Sequence, residues 1–412
     1  MSSIPIPEVV KVVCQIISSF AHGSEARIVG GYVRDILNGK IPKEIDMATN
    51  MLPENVIGIF SKHSLHTIPT GIKHGTITAI INNIQIEITT LRVDVKCNGR
   101  HAEVVFGDSW EEDAQRRDFT INAMYADVNG NLYDYFNGQD DIKNKIVKFI
   151  GDPKQRIHED YLRIMRYFRF LGYFDYTEGL MLHYESFDAS VELSENLQHI
   201  SAERIRSELM KTLSSAYQYV PISLMLKHGI LNRIGLDFKL ENIDSLYFCD
   251  DPIINLAALL KLSNIIDLSI LKTLKFSNNE QQIIYKLLNI EFSEIFDNIL
   301  KKLLASEEVF DEIHVAMQEI GKDTYIQLFE MHYVMRIKLF KVADISNTLT
   351  HFLMILNSIP TAIMPVKGDD IMKLGFTNAD IGNQLRIAKK LWLQHKCKID
   401  KITILRLLSN VL

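Results

Sequence analysis

Two hydrophobic rhythms divide the chain near residue 145. Before that point, short apolar runs alternate with glycines and turn residues. RIVGG (27–31) is an apolar run that stops at two glycines. TITAIINNIQIEITTLR (76–92) is two such runs around Asn82-Asn83, which predicts a β-hairpin. EVVF (103–106) and NLYDYF (131–136) read as further strands. PEVVKVVCQIISSF (7–20), YVRDILNG (32–39) and RDFTINAMYAD (117–127) read as helices between them. This mixture predicts an α/β or α+β head with one mixed sheet. Beyond residue 145, apolar residues recur at three- and four-residue spacing, as in EDYLRIMRYFRFLGYF (159–174), SAERIRSELMKTLSSA (201–216), NLAALLKLS (255–263) and QQIIYKLLNI (281–290), so helices are expected almost throughout. Ser201 reads as a helix N-cap, and PVKGDD (365–370) as a hinge before a last helical segment. No fixed-period repeat or low-complexity segment interrupts this pattern.

Composition narrows the class. With 412 residues, 47% of them hydrophobic and 23% charged, the chain is globular and long enough for two to four domains. No window holds the roughly 18 uninterrupted apolar residues of a membrane span. MSSIPIPEVVKVVCQ lacks a basic segment followed by an apolar one, so no signal peptide is expected. Cys14, Cys97, Cys249 and Cys397 are scattered without a CxxC, which fits reduced thiols in a cytoplasmic protein and excludes a Cys-rich zinc site. The net charge of −6 argues against blanket coating of nucleic acid, and neither a membrane nor DNA is expected as a partner. Residues 361–412 run the other way, with nine Lys or Arg against four Asp or Glu. That end is a candidate RNA-backbone surface or a solvated helix face.

The candidate chemistry begins at RIVGGYVRDILNGKIPKEIDMATN (27–50). Gly30 and Gly31 would let the backbone approach a phosphate at a helix start, with Arg34 one turn in, unless they form a plain strand-to-helix turn. Glu44 and Asp46 stand two apart. On a strand they would share a face and could hold Mg²⁺ together with substrate phosphates; otherwise they form an exposed acidic turn. Glu87 alternates away from Ile86 and Ile88, and is either a third acid that helps activate a hydroxyl or a solvent-facing strand residue. In EDAQRRDFTINAMYAD (112–127), Arg116, Arg117, Asp118 and Asn122 make a polar entry to an apolar helix. Asp118 is then an N-cap, or Arg117 meets a triphosphate and Asp118 a ribose hydroxyl.

GDPKQRIHEDYLRIMRYFRF (151–170) carries Glu159, Asp160, Arg163, Arg166 and Arg169 on one helical pattern. Asp160 and Arg163 at i and i+3 make either a surface ion pair or a reader of bases. A carboxylate accepts from an exocyclic amine and a guanidinium donates to a ring acceptor. Cytosine and adenine satisfy both, whereas uracil and guanine do not.

VGGYVRD (29–35), KEIDMAT (43–49), GRHAEVVFGDSWEEDAQRRDFTINAMY (99–125), GDPKQRIHEDYLRIMRYFRF (151–170) and ISAERIRSEL (200–209) stand in a fixed order. Together they resemble the class II tRNA nucleotidyltransferases, the CCA-adding enzymes, and the related bacterial poly(A) polymerases. The resemblance implies an α+β fold: a polymerase-β-like head with a mixed sheet at 1–145, then an all-α neck at 146–235, body at 236–360 and tail at 361–412. It implies addition of C, C and A to the 3′ end of tRNA from CTP and ATP, with Mg²⁺ as cofactor and release of pyrophosphate. Carried over, Gly30, Gly31 and Arg34 contact nucleotide. Glu44 and Asp46 match the metal-binding Asp-x-Asp, with Glu87 as the third catalytic acid. Arg117, Asp118 and Asn122 hold triphosphate and ribose. Asp160 and Arg163 read the base, and Arg166 and Arg169 also reach nucleotide. The family pattern has Asp where Glu44 stands, one methylene shorter. VDVKCNGRHAEV (93–104) falls where the family has a flexible loop that accompanies the switch from C to A. The alternatives are a poly(A) polymerase, a specialist adding only CC or only A, and a non-catalytic RNA- or nucleotide-binding protein. The sequence carries no signal of oligomeric state.

Overall fold

The computed structural model describes residues 3–98, 101–238, 247–265, 267–305, 309–337 and 344–409, of which residues 70, 94–98, 101–103 and 378–379 are described by their backbone alone. The chain forms two compact units, Met1–Asp237 and Phe238–Leu412.

In the first unit, helix α1 (Glu8–Ser18) leads to strand β1 (Ala26–Val29), helix α2 (Gly31–Leu37), strand β2 (Asp46–Thr49) and helix α3 (Pro53–Lys62). Strands β3 (His66–Gly71), β4 (Thr76–Ile81) and β5 (Ile84–Thr90) follow, then β6 (Arg92–Asn98) and β7 (His101–Phe106). Helix α4 (Trp110–Gln115) and strands β8 (Met124–Ala126) and β9 (Leu132–Asp134) complete the head. Seven strands make one mixed sheet in the order β3-β4-β5-β2-β1-β8-β9, in which only β2 and β5 run parallel. The hairpin expected around Asn82-Asn83 is present. Both residues have positive φ, 50° and 64°, the primed turn that matches strand twist. The apolar face of α1, with Val13 and Ile17 fully buried, packs on β1.

Two expectations fail here. RDFTINAMYAD (117–127) is not a helix: a short 3₁₀ turn at Thr120–Asn122 runs into β8. Met124, Tyr125 and Ala126 lie between β1 and β9 and are buried on both faces, so the strand shows no alternation to read. The segment expected as a loop, 93–104, instead lies in β6 and β7, an antiparallel pair outside the main sheet; residues 99–100 lie outside the described residues.

Helix α5 (Gly138–Lys143) follows, and then α6 (Pro153–Glu159), α7 (Leu162–Leu171), α8 (Tyr184–Glu192), α9 (Ala202–Leu213), α10 (Tyr219–Lys227) and α11 (Ile230–Arg233). The single helix expected over 159–174 is broken. Asp160 is extended (φ −156°, ψ 106°), and its Oδ1 accepts from the Leu162 amide (3.1 Å), so one helix ends and another starts. Ser201 does stand at the N-cap of α9, without a side-chain capping bond.

The second unit is helical over its described residues. Asp251 caps α12 (Pro252–Leu262), which is followed by α13 (Ser269–Thr273) and α14 (Asn278–Asn289), the latter opened by a Ser277/Glu280 capping box. Then come α15 (Ser293–Leu304), α16 (Phe310–Ile320), α17 (Lys322–Arg336) and α18 (Ile345–Ser358), packed around Phe296, Phe329 and Tyr333. The last three helices, α19 (Gly368–Lys373), α20 (Asn378–Gln394) and α21 (Lys401–Ser409), gather around Val366, Ile371, Trp392 and Ile404. Val366 lies within the segment expected as a hinge, and is buried in that cluster.

Candidate active site

Sheet register explains why residues far apart in sequence meet. β1 runs antiparallel to β2, with Ile28 opposite Met47, so the end of β1 lies beside the start of β2. β5 runs parallel to β2 and sets Glu87 opposite Asp46. The Gly30 amide donates to the Met124 carbonyl (3.1 Å), which draws the 3₁₀ turn to the same end of the sheet. Gly30 has φ 69° and ψ −117°, a conformation open to glycine, and a Cβ there would stand 3.4 Å from the Asn122 carbonyl.

A cleft of about 520 Å³ opens at this end. Gly30, Gly31, Arg34, Glu44 and Asp46 line it from the head, with Arg117, Asp118 and Asn122 from the turn after α4. Asp160, Arg163, Arg166 and Arg169 line it from the neck. The last three recur every third residue on α7, opposite a face that buries Ile164, Met165, Phe168 and Leu171. Glu87 does not line the cleft. It is an exposed residue on β5, beside Asp46. Glu44 precedes β2 rather than lying on it, so the shared strand face expected for the two acids is not formed.

Burial, with Glu87 and then Glu44 adding like charge, pushes the Asp46 carboxyl up to about 6, against a smaller pull from Arg117 and Arg34. A divalent cation would relieve that crowding. Among the described residues, no group of three or more His, Cys, Asp or Glu side chains is set to hold a metal ion. Glu44 and Asp46 therefore suit an ion that takes most of its oxygens from water and phosphate, as Mg²⁺ does.

The cations are held in place by buried acids. Asp113 is fully buried on α4. It takes Arg116 Nη2 (2.7 Å) on one oxygen, and Arg117 Nη2 (3.0 Å) and the Tyr125 hydroxyl (2.7 Å) on the other. Burial alone would raise its carboxyl, but Arg117 and Arg116 outweigh burial and hold it down at about 2. Asp118 is not an N-cap. Its Oδ1 accepts from the Phe119 amide (2.9 Å) and Asn122 Nδ2 (3.1 Å), and its Oδ2 from Arg166 Nε (2.8 Å). Here too burial is outweighed, by Arg166 first, and the carboxyl lies well below the usual range. Arg34 Nη1 donates to Asn122 Oδ1 (2.7 Å), and its other arm grips Asp35. Glu208, buried on α9, accepts from Arg169 Nε (2.5 Å).

Asp160 and Arg163 both face the cleft but are not paired with each other. Arg204 donates to both oxygens of Asp160, at 3.1 and 2.6 Å. Arg163 Nη1 donates to Glu159 (2.5 Å) and to the Arg156 carbonyl (2.6 Å). The surface ion pair that their spacing suggested is not formed, because Asp160 lies outside α7. Sequence reasoning gave no role to Arg92, Phe170 and Lys211, which line the cleft, or to Asp113, Arg204 and Glu208, which hold Arg116 and Arg117, Asp160, and Arg169 respectively. Asp113 carries a legible signal, three and four residues before Arg116 and Arg117 on one helix. Arg204 and Glu208 lie in ISAERIRSEL (200–209), a motif that carries the resemblance, but no local pattern assigns them a role, since their partners lie about 40 residues away in sequence.

The family described as "Poly A polymerase head domain" matches residues 26–148, and "Probable RNA and SrmB- binding site of polymerase A" matches 179–238. The mitochondrial CCA tRNA nucleotidyltransferase 1 of Mus musculus is 44% identical over 248 residues, which are 58% of this chain and 57% of that protein. The chain thus matches little more than half the length of that relative. The Danio rerio protein of the same name is 34% identical over 395 residues, 94% of this chain and 87% of that one. A crystal structure of the Bacillus stearothermophilus CCA-adding enzyme in complex with CTP superposes with a TM-score of 0.75 at 24% identity, over 94% of this chain and 92% of that one, and shows a shared fold. With a seven-stranded nucleotidyltransferase head, a helical remainder and a relative matched along nearly its whole length, the chain belongs to the CCA tRNA nucleotidyltransferase family.

Proposed function

We propose that this protein adds C, C and A to the 3′ end of tRNA, using CTP and ATP and no nucleic-acid template, and releases pyrophosphate at each step. The observation that carries the reading is the cleft at the end of the first unit's sheet. It combines a glycine turn, two carboxylates, a set of anchored arginines, and a carboxylate and a guanidinium, Asp160 and Arg163, that are not paired with each other and suit base edges. The B. stearothermophilus neighbour binds CTP, and a Thermotoga maritima neighbour is complexed with tRNA.

In this reading the tRNA 3′-hydroxyl attacks the α-phosphorus and pyrophosphate departs in line. Glu44 and Asp46 would hold Mg²⁺, which when bound lowers the hydroxyl pKa and steadies charge on the attacking and leaving oxygens. The backbone at Gly30 and Gly31 approaches the phosphates. Arg34 and Arg117, already fixed by Asp35 and Asp113, supply positive charge without reorganising. Asp118 takes the ribose hydroxyl in exchange for one arm of Arg166, with Asn122 alongside, and Arg169 reaches the nucleotide from the neck. Asp160 and Arg163 select cytosine or adenine. Glu87, beside Asp46, assists as the third acid.

We assign the catalytic head to residues 1–145, neck to 146–235, body to 236–360 and tail to 361–412; the separate apolar cluster around Trp392 supports a distinct tail. The excess of Lys and Arg in 361–412 supports a tRNA contact there. The cytosol is our assignment for its compartment, supported by Cys14, Cys249 and Cys397 as free thiols; the vertebrate relatives are mitochondrial by name.

The test is product length on a tRNA that ends at its discriminator base. CTP with ATP should give three added nucleotides and a stop, and CTP alone should give two. A long ladder with ATP alone would make the protein a poly(A) polymerase. A stop after two, or addition only to tRNA already ending in CC, would make it a specialist. Nucleotide binding without any extension would leave a binding protein.

A further inference from the structure

We infer that Arg204 is a positioning residue for base selection: its two-pronged contact fixes the Asp160 carboxylate so that a single oxygen, Oδ2, is left to read the incoming base. This rests on the base-reading role of Asp160 in the function proposed above. A carboxylate has about four acceptor positions, two on each oxygen. Asp160 Oδ1 is filled by the Leu162 amide (3.1 Å) and Arg204 Nη1 (3.1 Å). Oδ2 takes Arg204 Nη2 alone (2.6 Å), so one acceptor position remains on it. Asp160 lies on the cleft wall.

The carboxylate needs such a support because of where it stands. Asp160 is the extended residue between α6 and α7, so neither helix fixes its χ angles. Arg204 sits in the first turn of α9, with its amide bonded to the Ser201 carbonyl (3.1 Å), and α9 packs along α7. A planar guanidinium fixes both the position and the plane of a carboxylate, which an ammonium cannot do. The plane matters because cytosine and adenine present an amine to Oδ2, whereas uracil presents a carbonyl that an acceptor-only atom repels. A carboxylate free to rotate could turn away from that carbonyl, and selection would weaken.

The test compares the wild-type protein with Arg204→Met, Arg204→Lys, Asp160→Asn and the Asp160→Asn/Arg204→Met double variant. Two readouts are used: equilibrium binding of CTP and UTP, and kcat/KM for each nucleotide on tRNA lacking its 3′ CCA. The expected result for Arg204→Met is a fall of roughly tenfold in the CTP-over-UTP ratio, within the range of one base contact. Arg204→Lys should recover part of it, and Arg204→Met should add nothing once Asp160 is Asn. Equal weakening of CTP and UTP, with the ratio unchanged, would show that Arg204 only braces the α6–α7 junction and would overturn the inference. Should Arg204→Met fail to fold by circular dichroism, Arg204→Lys decides, with a ratio lowered several-fold or unchanged. A wild type that prefers CTP in binding but extends no RNA would overturn the function proposed above, and the binding ratio would still decide the role of Arg204. A wild type that does not distinguish CTP from UTP would overturn the inference itself.

Discussion

Asp46 is the residue on which the chemistry turns. Two acids crowd it and two arginines pull the other way, and the balance leaves its carboxyl near 6 without a cation. A protonated carboxyl is no ligand, so Mg²⁺ or Mn²⁺ binding should weaken as the pH falls through about 6. Glu87→Gln removes a like charge and should shift that midpoint downward. Titration of Mn²⁺ binding between acid and neutral pH checks both statements; a flat profile would contradict them. For activity, Asp46→Asn should lower kcat on the order of 10²-fold or more, as loss of a preorganised electrostatic group does. Glu44→Asp should retain activity, because it keeps the carboxylate. Steady-state rates on one tRNA primer decide this, and an Asp46→Asn variant with near wild-type kcat would refute the role. At this scale the sequence was informative. Twelve of the thirteen residues singled out from it line the cleft, and Glu87 stands next to it. The roles of Arg204 and Glu208 escaped, although both lie in the ISAERIRSEL motif, because a support is an ordinary Arg or Glu until the fold brings its partner to it.

Elements were legible where the period was clean. The Asn82-Asn83 turn and the amphipathic α1 follow from local chemistry alone. β8 did not, because a strand buried on both faces shows no alternation. The break at Asp160 did not either, because the helical period of the apolar residues continues across it while one extended residue resets the backbone. Buried polar groups are equally silent in sequence. His332 on α17 is 2% exposed between Phe292 and Phe296, and neither ring nitrogen has a hydrogen-bond partner. Burial, then Lys261 and Arg336, pushes its pKa down to about 4. The unfolded chain takes up a proton near 6.5 and the folded one only near 4, so this group's contribution to stability is complete above 6.5 and is lost as the pH falls toward 4. Glu330, held up at about 7 by burial and by Asp251 and Asp250, slopes the other way, and it cancels when wild type and variant are compared. His332→Phe should therefore stabilise by about 1 kcal/mol at neutral pH, from removal of an unsatisfied buried polar group, and the gain should grow below pH 6. Urea melts at neutral pH and at pH 5 test this; a destabilised variant would contradict it.

At the scale of the whole molecule, every residue of the candidate site falls within Met1–Asp237, a compact unit by itself. Expressed alone, that unit should bind CTP within a few-fold of the full chain, by calorimetry, while binding tRNA more weakly. Loss of CTP binding would mean that the second unit completes the site. The change of hydrophobic period near residue 145 marks where strands give way to helices inside the first unit, whereas the unit boundary at Asp237 has helices on both sides and shows no change of period. The most direct test of the central claim is to sequence the 3′ ends of a tRNA lacking CCA after reaction with all four nucleoside triphosphates and Mg²⁺, beside an Asp46→Ala control. The cleft described above should yield C-C-A and then stop, with the control unextended. Ends of mixed sequence, runs of A, or extension by Asp46→Ala would contradict it.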